Sequence, residues 1–322
     1  MRTLLLVVLY LFAQACSSKS STKDIAKDSV SSTIPESRTA TVNTVAEPEF
    51  PYNLRKPAEK YKMPKALTEI SAISMYRKSK LICAQDEEGK LFIYDMKKQE
   101  VKHPVNFGKK GDYEGIANVH DTLYVLSSNG KLHQILYFDS PEQHTNVIST
   151  PLNKENNTEG LCFDSLNHRL LIACKNKPGN GIKGARAVYA FDLGTMMFIQ
   201  QPVFTVKLEE LKRFLMASEQ QKLLADELKN LFDPEDGDAT FQPSEIAIHP
   251  LTNDVYLIST VGKLLVVLNS EGNIKMIESL SSDIFKQPEG LCFKSDGTLF
   301  ISDEGRSGHG NILEFKYQGD AK

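Results

Sequence analysis

The 322-residue chain contains no Trp, which excludes a carbohydrate platform built on stacked indoles, although 11 Tyr and 16 Phe remain. Nor is there a basic excess: 38 Lys and Arg stand against 41 Asp and Glu, for a net charge of −3. Nucleic-acid binding would show as a basic stripe and gets no support from that balance. The five cysteines form no CxxC pair and no metal-type spacing. The seven His are scattered, and no GxSxG or Ser-His-Asp order can be drawn through them, so no catalytic constellation is legible.

What is present begins with a targeting segment. Arg2 precedes the apolar run Leu4–Phe12, which is too short to span a bilayer with ordinary flanks. Ala13-Gln14-Ala15-Cys16 follows, and the whole resembles a bacterial lipoprotein signal. Residues 1–15 are then a signal peptide and Cys16 the lipid anchor, with the chain exported and attached to the cell envelope, at the outer membrane. Residues 16–47 are rich in Ser, Thr, Lys and Glu and nearly free of large apolar side chains, so they read as a flexible tether. The remaining cysteines, Cys83, Cys162, Cys174 and Cys292, are expected as buried free thiols; Cys162 and Cys292 fall in the same slot of two repeats.

From residue 48 onward one short motif keeps returning. Tyr113-Glu114-Gly115-Ile116, Thr158-Glu159-Gly160-Leu161 and Pro288-Glu289-Gly290-Leu291 share a Glu-Gly step. Ile70-Ser71-Ala72-Ile73 and Pro243-Ser244-Glu245-Ile246 carry Ser in place of Glu. Successive copies are separated by 43, 45, 85 and 45 residues. A period near 45 among alternating apolar segments and Gly-rich turns marks a β-propeller with one four-stranded sheet per blade. The long step is explained by Leu208, Leu211, Leu215, Leu224, Leu228 and Leu231, which fall at helical spacing. We therefore read an all-β, five-bladed propeller over residues 48–319, with a helical insertion at 207–240 before the fourth blade. The fifth blade runs out after its third strand at Tyr317, so an N-terminal strand near Phe50–Leu54 is expected to close it.

Each repeated Glu stands at the entry to a blade's first strand, and a propeller gathers those entries around one channel mouth. Glu114, Glu159 and Glu289 should converge there, with Glu69, Glu304 and Asp303 close by and Asp86 on the same rim. Simple pairing places Glu159 opposite Cys174 and Glu289 opposite Glu304. Several carboxylates in one mouth raise one another's pKa unless a cation neutralises them, and oxygen donors in this number suit Ca²⁺. The other reading of the same residues is structural, with each Glu accepting hydrogen bonds from the neighbouring blade. The Gly-rich loops carrying Lys175 and Arg306 project from this rim and can cradle an anionic ligand. The acidic stretch Asp233–Asp238 does not keep EF-hand spacing and reads as a solvated loop.

The motif series resembles the SdiA-regulated family over about residues 50–318. It comprises Glu69-Ile70-Ser71-Ala72-Ile73, Tyr113-Glu114-Gly115-Ile116, Glu159-Gly160-Leu161, Pro243–Pro250 and Gln287-Pro288-Glu289-Gly290. The resemblance implies a five-bladed propeller with a calcium site and implies no catalytic activity. Its metal ligands carry over to Glu114, Glu159 and Glu289, whereas Ala72 and Glu245 depart from the family pattern. The combined expectation is a monomeric, membrane-anchored binding module that takes Ca²⁺ and a small-molecule or peptide ligand. The rival is a metal-dependent hydrolase of lactonase or phytase type, with a rim Glu as base.

Overall fold

The computed structural model describes residues 49–179, 181–217, 231–233, 235, 239–306 and 308–319. The signal peptide, the tether, Cys16, Leu224, Leu228 and Asp236–Asp238 lie outside these residues.

Five four-stranded antiparallel sheets make up the domain. A first strand, β1 (Glu59–Lys62), stands apart from the four blades that follow it. Blade 1 is β2 (Ile70–Arg77), β3 (Lys80–Gln85), β4 (Lys90–Asp95) and β5 (Glu100–Asn106). Blade 2 is β6 (Tyr113–Val119), β7 (Thr122–Ser127), β8 (Leu132–Leu136) and β9 (His144–Ile148). Blade 3 is β10 (Thr158–Asp164), β11 (Arg169–Cys174), β12 (Ala185–Asp192) and β13 (Met197–Lys207). Blade 4 is β14 (Gln242–Ile248), β15 (Val255–Val261), β16 (Leu264–Leu268) and β17 (Ile274–Ser279). Blade 5 takes β18 (Pro288–Phe293), β19 (Leu299–Asp303) and β20 (Asn311–Phe315) from the C-terminal side and β1 as its outer strand.

The strands' composition follows from where they lie. Second strands such as Leu81–Ala84, Leu123–Ser127 and Leu170–Cys174 are buried throughout, because adjacent blades cover both faces of the sheet. Such strands need continuous apolar runs and not alternation. The outer strand β5 alternates exposed and half-buried residues, as an edge strand facing water should. Inner strands β2, β6, β10, β14 and β18 each pack on the next, and β18 returns to β2, so the ring is closed. All four expected cysteine thiols are buried and free.

The closing strand is N-terminal, but it is not Phe50–Leu54. Glu59–Lys62 pairs with Glu314 through Asn311 on β20, and Tyr61 donates its hydroxyl to Glu314 Oε2 at 2.7 Å. Phe50, Tyr52 and Leu54 instead pack over the ends of blades 4 and 5 with Tyr256, Phe293 and Tyr317. The reason is burial. Three large apolar side chains gain more there than at an outer edge, where Glu59–Lys62 has only Tyr61 to bury. Pro51 also lacks the N–H that a paired strand uses.

The helical insertion is present as α1 (Leu208–Ala217), which continues directly from β13. Leu208, Leu211 and Leu215 are buried on its inner stripe, together with Leu231 from beyond it, against strands of blades 3 and 4. The stripe covers the propeller's flank.

Candidate functional site

All five motif copies fall at a β-bulge. In blade 3, Thr158 pairs with Cys174 and Gly160 with Ala173, leaving Glu159 without a cross-strand partner. The same skip occurs at Ser71, Glu114, Ser244 and Glu289. Glu159 is therefore not opposite Cys174, and Pro288, not Glu289, faces across to Asp303. A bulge releases one side chain from the ladder and re-aims it, which is how a strand can present a polar group at a channel mouth. The Gly that follows is required by the neighbour. A Cβ on Gly160 would lie 2.8 Å from Ile246 N, and one on Gly115 would lie 2.6 Å from Leu161 Cβ.

Ser and Glu copies do different work. Ser71 donates to Tyr113 O at 2.8 Å and Ser244 to Pro288 O at 2.9 Å, so each bonds its blade to the next. Glu114, Glu159 and Glu289 instead form one electrostatic group. Burial first, then the charges of Glu159, Asp112 and Glu289, push Glu114 up to about 9. Glu159 is raised to about 7 by burial, partly offset by Lys175, and Glu289 to about 7 by burial and Glu159. Lys175 is the cation among them, with Nζ 2.7 Å from Glu159 Oε1. Burial alone would lower its pKa; Glu159, Glu289 and Glu114 outweigh that and hold it above the usual range.

Glu245 completes the group; the sequence places it within two residues of the ring as well as marking it as a departure from the family pattern. It is 1 % exposed, and its Oε1 accepts from Leu161 N at 2.8 Å and Ile246 N at 2.9 Å. Its Oε2 is buried without a hydrogen-bond partner. Burial, with help from Glu114 and Glu159, raises its pKa well above the carboxylate range. Asp112 was missed altogether, although a signal existed. The residue two places before each motif position is polar in every copy: Glu69, Asp112, Asn157, Gln242 and Gln287. Asn157 donates to Glu159 Oε1 at 3.0 Å, while Asp112 hydrogen-bonds Glu114 and Gln287 hydrogen-bonds Glu289.

The other expected site residues gather at the junction of blades 5 and 1, linked to Glu289 through Gln287 and Glu304. Burial and then Glu69 raise Asp86, whose Oδ1 is buried without a partner. Burial and then Asp86 and Glu69 raise Glu304, and Arg306 offsets part of this. Asp303 is taken up by the fold: its Oδ1 accepts from Gln287 N at 2.6 Å. Arg306 Nε donates to Gln287 Oε1 at 2.8 Å.

Carboxylate oxygens are the donors a hard cation takes, and the orphaned Oε2 of Glu245 adds one more among the raised glutamates. In donor chemistry the group fits Ca²⁺. Among the described residues, however, no three His, Cys, Asp or Glu side chains are gathered around one ion position. Lys175 supplies the positive charge in the present arrangement.

The fold and the mouth together define a five-bladed β-propeller with an acidic, lysine-countered channel entrance. The family model for SdiA-regulated proteins matches residues 46–306, and the chain belongs to that family. No curated protein matches it. Among solved structures, a glutaminyl cyclase from Myxococcus xanthus is similar at 11% identity and a TM-score of 0.50, over 82% of this chain and 96% of that one. A streptogramin B lyase is similar at 11% identity and a TM-score of 0.44, over 80% and 97%. A protein of unknown function from Bacteroides caccae is similar at 10% identity and a TM-score of 0.40, over 70% of this chain and 65% of that one, just under two thirds. At such identities the likeness concerns the fold alone.

Proposed function

We propose that the protein is an exported binding module, anchored to the envelope through Cys16, whose channel mouth takes a cation. One observation carries the reading: Glu114, Glu159 and Glu289 are all held at or above neutrality, with the Lys175 ammonium paired to Glu159 as their partial offset. Such a group gains from a further positive charge. Ca²⁺ suits its oxygen donors, with Glu114, Glu159 and Glu289 as the holding residues and Glu245 behind them. When bound it would supply a fixed divalent charge at the mouth, able to orient an acidic or carbonyl-bearing ligand. Lys175 competes for Glu159, so the ammonium must leave that carboxylate for the ion to enter.

The test is metal content and thermal melting of the full chain in Ca²⁺ and in chelator, for wild type, Glu159→Gln and Lys175→Met. Bound Ca²⁺ and a chelator-sensitive melt in wild type, lost in Glu159→Gln and strengthened in Lys175→Met, would support the site. Identical curves in all three would remove calcium and leave Lys175 as the resident cation.

A metal-dependent hydrolase is the second reading, and the raised carboxyls of Glu159 and Glu289 favour it. A group that titrates near 7 suits a general base. Turnover of a generic lactone or phosphoester that disappears in Glu289→Gln would support this reading over the binding module.

A further inference from the structure

Each blade runs up and down, so its first-to-second and third-to-fourth turns share one rim, opposite the strand ends that carry the glutamates. Several tips on that rim are apolar, beside exposed acidic ones at Asp121, Glu142, Glu271 and Asp296. Tyr137, Leu166, Met196, Met197 and Leu251 lie in or beside these turns in blades 2, 3 and 4, and they are 62, 72, 43, 66 and 38 % exposed. They make up five of the eight large hydrophobics exposed among the described residues. Single exposed apolar side chains need no explanation, but five on one rim, at turns that normally carry polar residues, do.

Two further facts belong to the same rim. Arg77, Lys78, Lys97 and Lys98 are exposed at the corresponding turns of blade 1. The chain also enters the propeller here. Tyr52 donates its hydroxyl to Gly297 O, in the first-to-second turn of blade 5, and Gln318 N donates to Pro51 O. The first described residues, Glu49–Tyr52, therefore stand at the rim with the apolar tips and not at the glutamate mouth.

We propose that this rim is a lipid-facing surface. The apolar tips of blades 2, 3 and 4 enter the headgroup region, and the basic tips of blade 1 meet anionic lipid phosphates. The attachment itself rests on the anchoring of Cys16 proposed above; the contact of the tips does not. A tethered domain needs only a weak face, because the tether keeps the lipid at high effective concentration. The glutamate mouth then opens away from the bilayer, toward solutes or a partner.

The absence of Trp makes a direct test available, since one introduced indole reports alone. Full-length Leu166→Trp and Met197→Trp are compared with Val261→Trp, which sits at the end of β15 on the opposite rim. Each is mixed with vesicles of phosphatidylethanolamine and phosphatidylglycerol carrying brominated acyl chains. Emission from positions 166 and 197 should shift to shorter wavelength and be quenched, and emission from 261 should do neither. The mass of the N-terminal peptide reports lipidation separately. Silence at 166 and 197 in a lipidated, sedimenting chain overturns the lipid-facing rim, leaves the anchor standing and assigns the tips to a protein partner. Equal quenching at all three positions overturns the orientation. Quenching confined to 166 and 197 in an unlipidated chain keeps the rim and removes the anchor.

Discussion

The backbone N–H of Leu161 in blade 3 donates to the carboxyl of Glu245 in blade 4 at 2.8 Å, across 84 residues of sequence. The same Oε1 accepts from Ile246 N, so one oxygen holds two backbone donors at the blade junction. Burial pushes this carboxyl's pKa well above its ordinary range and so favours the neutral form. Glu245→Gln preserves a neutral acceptor of the same shape and should change stability by less than about 1 kcal/mol. Glu245→Ala strands two buried donors and should cost about 2–4 kcal/mol. Urea denaturation of the two variants checks this; equal losses would mean that the charge, not the acceptor, matters.

The acidic mouth sets a pH dependence with a definite sign. Glu114, Glu159 and Glu289 hold their protons to about 9, 7 and 7, whereas in the unfolded chain they lose them near 4.5. The folded state thus binds more protons between those values. Its stability is full below about 4.5 and falls as pH rises toward 7 to 9. Melting temperature in chelator should decline over that window, and Glu114→Gln should flatten the decline. Added Ca²⁺ should flatten it as well if the mouth takes the ion.

His249 gives the opposite slope at the acid end. Its ring is fully buried among Tyr52, Tyr256, Phe293 and Tyr317, and burial lowers its pKa to about 4. The unfolded chain takes up that proton near 6.5 and the folded one resists it. This contribution is therefore complete above 6.5 and is lost as pH falls toward 4. Proton titration of the His249 ring by NMR should show no protonation at pH 5.5.

Tyr52 joins the entering chain to blades 4 and 5. Its hydroxyl donates to Gly297 O at 2.6 Å and lies 2.9 Å from His249 Nε2. Tyr52→Phe should cost about 1–2 kcal/mol, because it leaves a buried carbonyl and ring nitrogen without that partner. Tyr52→Ala should cost about 3–5 kcal/mol, by opening a cavity in an aromatic cluster. Thermal melts of both variants decide whether the strap is part of the cooperative fold.

The motif glycines are set by approach of the next blade. An added methyl at Gly160 meets backbone of Glu245 and Ile246, and backbone cannot swing aside as a side chain can. Gly160→Ala should cost about 1–3 kcal/mol. At Gly194, where the nearest atom to an added Cβ is Asp192 Oδ1 at 3.4 Å, the same change should be nearly neutral. Comparable losses at both sites would mean that crowding by the next blade does not account for the effect.

Much of this molecule is written locally. Strand apolarity, the Glu-Gly motif and its 43- to 45-residue steps specify five blades and place Glu114, Glu159 and Glu289 on one mouth, because a repeat puts equivalent residues at equivalent places. The amphipathic leucines of Leu208–Ala217 likewise announce their helix and the side it buries. What the tertiary structure decided are competitions between distant groups. Tyr52 and Tyr61 could each have filled the edge of blade 5, and the larger apolar segment went where more surface is covered. The loop order puts Lys175 on the glutamate rim, but nothing in the sequence pairs it with Glu159; only the strand geometry brings the ammonium to that carboxylate. Ser71 and Glu159 share a motif position, yet one bonds the neighbouring blade and the other faces its fellow carboxyls. A short hydroxyl reaches only the adjacent carbonyl, while a longer charged chain extends to the channel.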